Sequence, residues 1–190
     1  MRRIPVQSKV EIIVVMKLAP LGLESWIQEN RALLKPPVGN KLVWPDTEFN
    51  VMVVGGPNTR KDYHVDPGEE FFFQIQGDMV LKIIEDGVAR DVPIREGDIF
   101  LLPAGVPHSP QRFPDTVGLV IERRRRADEI DHLRWYCESC GNILYDESFH
   151  CTDLGTQLKP IIEAFHGDVS RRTCKKCGAV MAVPQASAPN

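Results

Sequence analysis

The sequence predicts a mainly β fold: a jelly-roll barrel with a few flanking helices and a small C-terminal four-cysteine metal-binding unit. Three observations predict it. Short β-rich runs between turn residues fill the stretch from Phe49 to roughly Glu122, the pattern of a sandwich or barrel. Two histidines and a carboxylate, His64, Glu70 and His108, stand among those runs at offsets suited to one metal ion. Two Cys-x2-Cys pairs, Cys137/Cys140 and Cys174/Cys177, follow the β-rich stretch.

A chain of 190 residues with 43% hydrophobic and 26% charged residues can bury one sizeable core and carry a small appendage. Its net charge of −3 and pI near 6.0 give no global attraction to nucleic acid or to an anionic membrane. Every apolar run is shorter than a bilayer requires, so no membrane partner is expected. Arg2, Arg3 and Lys9 flank the approach to Ile12-Ile13-Val14-Val15, but that run is shorter than a signal-peptide core and lacks a small-residue cleavage pattern. Residues 1–16 read as an N-terminal extension ahead of an alternative start at Met16. Its first fifteen residues could act as an edge strand for pairing, and the expected compartment is the cytoplasm.

Residues 17–135 are assigned to the barrel domain. Leu23, Trp26, Ile27, Leu33 and Leu34 recur at helical spacing, which predicts one amphipathic helix packed on the barrel. Pro36-Pro37 ends it, and Pro37-Val38-Gly39-Asn40 forms a loop able to cross the barrel mouth. Strands are then expected at Asn50 to Val54, Phe71 to Ile75, Met79 to Ile84, Ile99 to Leu102 and Val117 to Ile121. The first stops at the turn cluster Gly55-Gly56-Pro57-Asn58, and the third reaches Asp86-Gly87, a strong hairpin signal. Closed as a jelly roll, they form a cup with inward side chains; Phe72 and Leu101 are expected to wall it. Arg123 to Arg126 read as a solvated strand end, and Asp128 to Trp135 as the lead-in to a separate unit.

The metal-binding residues fall into two linked motifs. Read as G-x5-H-x-H-x3-E-x6-G and G-x5-P-x-G-x2-H-x3-N, the cupin pattern is met by His64, Glu70 and Gly77, then by Gly97, Pro103, Gly105 and His108. Asn58 replaces the opening glycine, Asp66 the usual second histidine, and Arg112 the final asparagine. Losing one imidazole leaves two histidines and one carboxylate, the facial triad of non-haem Fe(II) oxygenases, with positions open for substrate and O2. Glu69 is the rival ligand, and the spacing to Gly77 favours Glu70. His64, Asp66, Gly68 and Glu70 would share one face of a regular strand, but Pro67 and Gly68 predict a bend that sets the angle between His64 and Glu70.

Residues 136–180 form the four-cysteine unit. Each Cys-x2-Cys pair is followed by glycine, making two knuckles whose backbone amides can hydrogen-bond thiolates around one tetrahedral ion, either Zn or rubredoxin-like Fe. Disulfides are the weaker alternative in a cytosolic chain. Between the pairs, Leu154, Leu158, Ile161, Ile162 and Phe165 share one face of a helix with Asp153 as N-cap, while Pro160 either kinks the helix or marks its start. Cys151 has no motif around it and reads as a buried or semi-exposed thiol. Residues 181–190 read as a disordered tail.

Leu34 to Asn40, Val54 to His64, Phe100 to Pro103 and Pro107 to Arg112 together resemble the 3-hydroxyanthranilate 3,4-dioxygenase family, as do Gly118 to Arg123 and Asp153 to Gln157. The resemblance covers roughly Leu23 to Gly178. It implies Fe(II)-dependent opening of the aromatic ring of 3-hydroxyanthranilate by O2, on the kynurenine route to quinolinate and NAD, and a homodimer. It also implies that His64, Glu70 and His108 hold the iron and that Arg60, Arg112 and Glu122 meet the substrate, with Arg60 and Glu122 taking part in catalysis. The chemistry agrees: an ortho-aminophenol can chelate iron through nitrogen and oxygen, the guanidinium of Arg60 or Arg112 suits a ring carboxylate, and Glu122 can accept a substrate proton. The competing readings are a cupin dioxygenase for another hydroxylated aromatic acid and a non-enzymatic cupin whose cysteine unit binds a macromolecule.

Overall fold

The computed structural model describes residues 19–35 and 39–184. The expectations placed on residues 1–16, on Pro36-Pro37-Val38 and on residues 185–190 lie outside the described residues. Among the described residues, eleven strands form two antiparallel sheets. One runs in the order β1 (Asn40–Leu42), β2 (Phe49–Gly55), β9 (Val117–Arg123), β4 (Glu70–Gln76) and β7 (Ile99–Leu102). The other runs β11 (Ile143–Phe149), β10 (Asp131–Tyr136), β3 (Asp62–Val65), β8 (His108–Arg112), β5 (Met79–Glu85) and β6 (Val88–Ile94).

Alternation along the strands decides what faces inward. In β4 Phe72 and Gln74 are buried while Phe71 and Phe73 lie half-buried on the other face; in β5 Met79, Leu81 and Ile83 turn inward. Phe72, Met79, Leu81 and Ile83 meet Ile94, Leu102 and Val120 in the core between the sheets, each burial contributing about 1.5–3 kcal/mol. Leu101, expected to wall the cup, is 53% exposed on the outer face, and its neighbour Leu102 takes the inner position. A strand has period two, so a one-residue error in parity exchanges the faces.

Helix α1 spans only Leu23–Asn30, and the chain then tightens into a 3-10 turn at Arg31–Leu34, where one continuous helix was expected. At the junction Asn30 donates its side-chain amide to the Trp26 carbonyl at 2.7 Å, a local polar bond that competes with helix continuation. The change of pitch seats Leu34 beside Ile27, Val53 and Val117 and leaves Leu33 exposed.

The barrel sheet continues past residue 130. β10 pairs with β3 from His132↔Val65 to Trp135↔Asp62, so the segment expected as a lead-in to another unit is a strand beside the metal-binding motif. Helix α2 (Leu154–Gly167) starts at Asp153, whose carboxylate accepts from the Gly155 amide at 2.9 Å, and Pro160 is accommodated inside it. After the one-turn helix α3 (Val169–Arg172), the chain returns to bury Met181. Phe165 stacks on Trp135 with ring centroids 4.1 Å apart; with Leu133 and Met181 they make a second core, which holds α2 against the barrel sheet.

Candidate active site

The bend at Asp66-Pro67-Gly68-Glu69 carries the chain from one sheet to the other: β3 ends at Val65 and β4 begins at Glu70. His64 therefore lies on one wall of the barrel and Glu70 on the wall opposite. β3 meets β8 at the single register pair His64↔His108, which sets the two imidazoles side by side with ring centroids 5.2 Å apart. Glu69 is exposed, whereas His64, Glu70 and His108 are all buried.

Glu70 Oε1 lies 3.0 Å from His108 Nε2 and 3.6 Å from His64 Nδ1. The remaining nitrogen of each ring is already engaged. His64 Nε2 donates to Asp131 Oδ2 at 2.7 Å, and His108 Nδ1 donates to the Val106 carbonyl at 3.0 Å. Such bonds orient a ligating imidazole and fix its tautomer, so one nitrogen of each ring and one carboxylate oxygen converge. All three ligand atoms lie within 4.8 Å of one another, a donor set that fits one divalent ion. Burial works against charging His64, but the hydrogen bonds to Asp131 and Glu70 raise its pKa to about 9. Burial likewise opposes an ionised Glu70, and the neighbouring His108 and His64 reverse this to hold it below the usual carboxylate range.

A cavity of about 670 Å³ opens onto these residues and also contacts Arg60, Arg112 and Glu122. Arg112 is 3% exposed, donates through Nη1 to Gln74 Oε1 at 3.1 Å, and has no partner for Nε. Among the described residues no carboxylate lies within ion-pair distance of it, and burial lowers its pKa to about 10. Gly118 makes room for it, since a Cβ there would stand 2.6 Å from Arg112 Nη1 and 2.8 Å from Gln74 Oε1. Asn58, at the motif's opening position, exchanges backbone hydrogen bonds with Arg112, both at 2.9 Å. Arg60 is differently placed: its Nε donates to Asp62 Oδ2 at 3.0 Å, so its charge is already shared.

Glu122 sits opposite Glu70 in register between β9 and β4. Its Oε1 accepts from Asn50 Nδ2 at 3.1 Å, and its Oε2 has no partner. Burial and the charge of Glu70 raise its proton affinity, while Arg125 works in the opposite sense. Arg125 corrects the reading of the arginine run as a solvated strand end, because its side chain is 3% exposed and lies among three acids. Its Nη2 is 2.7 Å from Asp66 Oδ2 and from Asp131 Oδ2, and its Nη1 is 3.4 Å from Glu122 Oε1. Neither Arg125 nor Asp131 carried a sequence signal. Arg125 is one of four consecutive arginines, and Asp131 is separated from His64 by 67 positions.

Helix α2 also reaches this cavity, contributing Leu154, Leu158 and Ile162 to its lining. Sequence reasoning placed those residues on a helix face but not over the site. On the other side of Glu122, Cys151 is buried, and burial pushes its thiol up to about 12.

Cys137, Cys140, Cys174 and Cys177 bring their sulfurs within 4.8 Å of one another, with Cys137 to Cys177 and Cys140 to Cys174 both at 3.6 Å. The two pairs are built alike. Gly141 N donates to Cys137 O at 2.8 Å and Gly178 N to Cys174 O at 2.9 Å, each glycine at a positive φ, 70° and 76°, that other residues rarely adopt. Backbone amides of Cys177 and Lys176 pull the Cys174 thiol down to about 6. Four sulfurs in this arrangement suit a tetrahedral ion.

Residues 15–166 match the family model described as 3-hydroxyanthranilic acid dioxygenase. The chain is 54% identical over 165 residues to the 3-hydroxyanthranilate 3,4-dioxygenase of Neurospora crassa, covering 87% of this chain and 91% of that one. It is 53% identical over 163 residues to the protein of the same name from Pyricularia oryzae, covering 84% and 88%. A third relative of that name, from Xanthomonas euvesicatoria pv. vesicatoria, is 51% identical over 170 residues, covering 90% and 96%.

Proposed function

The chain belongs to the 3-hydroxyanthranilic acid dioxygenase family, and from that premise we propose that it opens the ring of 3-hydroxyanthranilate to 2-amino-3-carboxymuconate semialdehyde, with the residue roles that follow. The observation that carries the assignment is a buried guanidinium without an acidic partner among the described residues, Arg112, facing the same cavity as His64, Glu70 and His108.

His64, Glu70 and His108 would hold Fe(II). When bound, the ion supplies a common site at which the ortho-aminophenol and O2 meet and exchange electrons. Arg112 takes the ring carboxylate, a charge-assisted contact that repays the burial of the cation. Arg60 reaches the substrate from the cavity rim by loosening its bond to Asp62. Glu122 receives the proton that the substrate hydroxyl or amine gives up, since its Oε2 is buried, unpartnered and of raised proton affinity. Phe72, Val120 and the α2 residues Leu158 and Ile162 keep water away from the reacting ring. The four cysteines hold a second ion, Zn or Fe, which ties the turn after β10 to the segment that follows α3.

Among the described residues no helix is long and apolar enough to cross a membrane; a cytoplasmic location is the reading that paired Cys-x2-Cys thiolates gathered for a metal favour. A homodimer fits the apolar row on the outer face of the first sheet, where Ile99 and Leu101 are exposed beside Phe71 and Phe73. Light scattering tests it.

For the reaction, protein loaded anaerobically with Fe(II) is given 3-hydroxyanthranilate and then O2. Matched uptake of O2 and formation of a semialdehyde that closes to quinolinate, both lost in His64→Ala, is the expected result. Iron-loaded protein that consumes no O2 with this substrate would refute the assignment, and equal turnover of an analogue with hydroxyl in place of the amine would point to another aromatic acid.

A further inference from the structure

Asp66 stands where the cupin motif has its second histidine, and its carboxylate lies close to that of the ligand Glu70. Ligand atoms of Asp66, Glu70 and Glu122 lie within 4.8 Å of one another, and all three residues are buried. Asp66 nevertheless turns away from the histidines. Its Oδ1 accepts from the Gly68 amide, and its Oδ2 lies 2.7 Å from Arg125 Nη2. Gly68 keeps this arrangement open, since a Cβ there would stand 3.2 Å from Asp66 Oδ1.

The guanidinium of Arg125 spans three acids at once: Asp66, Glu122 and Asp131. Asp131 in turn holds His64 by its Nε2. A planar fork with five donors can bridge separated carboxylates in this way, whereas an ammonium, a point charge, cannot hold all three.

We propose that Arg125 is a positioning residue that sets how many places on the catalytic ion remain open. It holds Asp66 off the ion, so that substrate and O2 find vacant positions, and through Asp131 it keeps His64 turned toward Glu70. On this view the aspartate in the motif and the third arginine of the run are two halves of one device. The inference rests on the reading of His64, Glu70 and His108 as the cation site.

The test uses Mn(II), a hard ion suited to carboxylate and water rather than thiolate, on full-length protein given a single equivalent of Zn(II), which the four thiolates take first. Relaxation of water protons by bound Mn(II) counts the exchangeable waters, and hence the open positions. Arg125→Gln frees Asp66 to bind, so the relaxation falls, and 3-hydroxyanthranilate no longer displaces water from the ion. Adding Asp66→Asn to that variant restores the relaxation. A purely structural arginine would show no such rescue. Unchanged relaxation in Arg125→Gln, or none recovered in the double variant, overturns the proposal.

If Arg125→Gln does not fold, Arg125→Lys keeps the charge without the fork, and its relaxation falls part of the way; wild-type relaxation there counts against the proposal. Asp66→Asn alone should bind Mn(II) within about threefold of wild type, whereas a loss of about tenfold or more, the size expected for a ligand or its close support, would show that Asp66 already ligates. Retention of Mn(II) by His108→Ala would instead sink the cation-site reading, and the proposal with it.

Discussion

Asp131 Oδ2 lies 2.7 Å from His64 Nε2, although 67 positions separate the two residues. The bond turns the other nitrogen of the ring toward Glu70 and so joins β10 to the proposed cation site. Asp131→Asn keeps the shape and removes the charge. Its expected effect is a fall of about tenfold in affinity for the catalytic ion, measured by anaerobic titration against a competing chelator, with the four-cysteine site still filled.

Gly118 bears on substrate rather than metal. Gly118→Ala would place a methyl 2.6 Å from Arg112 Nη1, driving the guanidinium out of its seat beside Gln74. Steady-state kinetics should show KM for 3-hydroxyanthranilate raised by about tenfold, as the loss of a charge-assisted contact predicts. Iron content should stay at the wild-type level. An unchanged KM would mean that Arg112 does not hold the carboxylate.

The four-cysteine site predicts a separation of the two metals. Cys174→Ser removes one of four sulfurs and should lower both total metal content and thermal stability, while the protein still binds Fe(II) at His64, Glu70 and His108. Metal analysis combined with a melting curve checks this. A folded variant that has lost all catalytic iron would contradict it.

Glu129 clamps the turn that delivers Arg125. Its carboxylate binds both ends of the Arg123 guanidinium and accepts from the Arg126 amide at 2.7 Å, and these bonds, led by Arg123, hold its pKa at about 2 against an ordinary 4.5. A depressed carboxylate pKa contributes stability that is present above the unfolded value and is lost as pH falls through the folded one. Glu129→Gln should therefore flatten the decline in stability between about pH 4.5 and about pH 2. Acid titration followed by circular dichroism would show wild type and variant converging at the bottom of that window; curves that stay parallel would reject the clamp.

The sequence by itself determined the class of fold, the two linked motifs that carry His64, Glu70 and His108, and the paired cysteine knuckles. Each is written in short-range terms: alternation, turn residues and fixed offsets within a few residues of one another. The Asp86-Gly87 turn between β5 and β6 was legible for the same reason, since both residues have the positive φ that such a tight hairpin needs.

Only the tertiary structure decided the rest. It turned Leu102 inward and Leu101 outward, because parity depends on where a strand begins to pair. It buried Arg125 among Asp66, Glu122 and Asp131 while leaving Arg124 exposed, because a run of identical charges carries no local sign of which member meets distant partners. It brought β10 beside β3 and α2 over the cavity, because closing a barrel joins residues by sheet pairing and core packing, and no offset along the chain records either one.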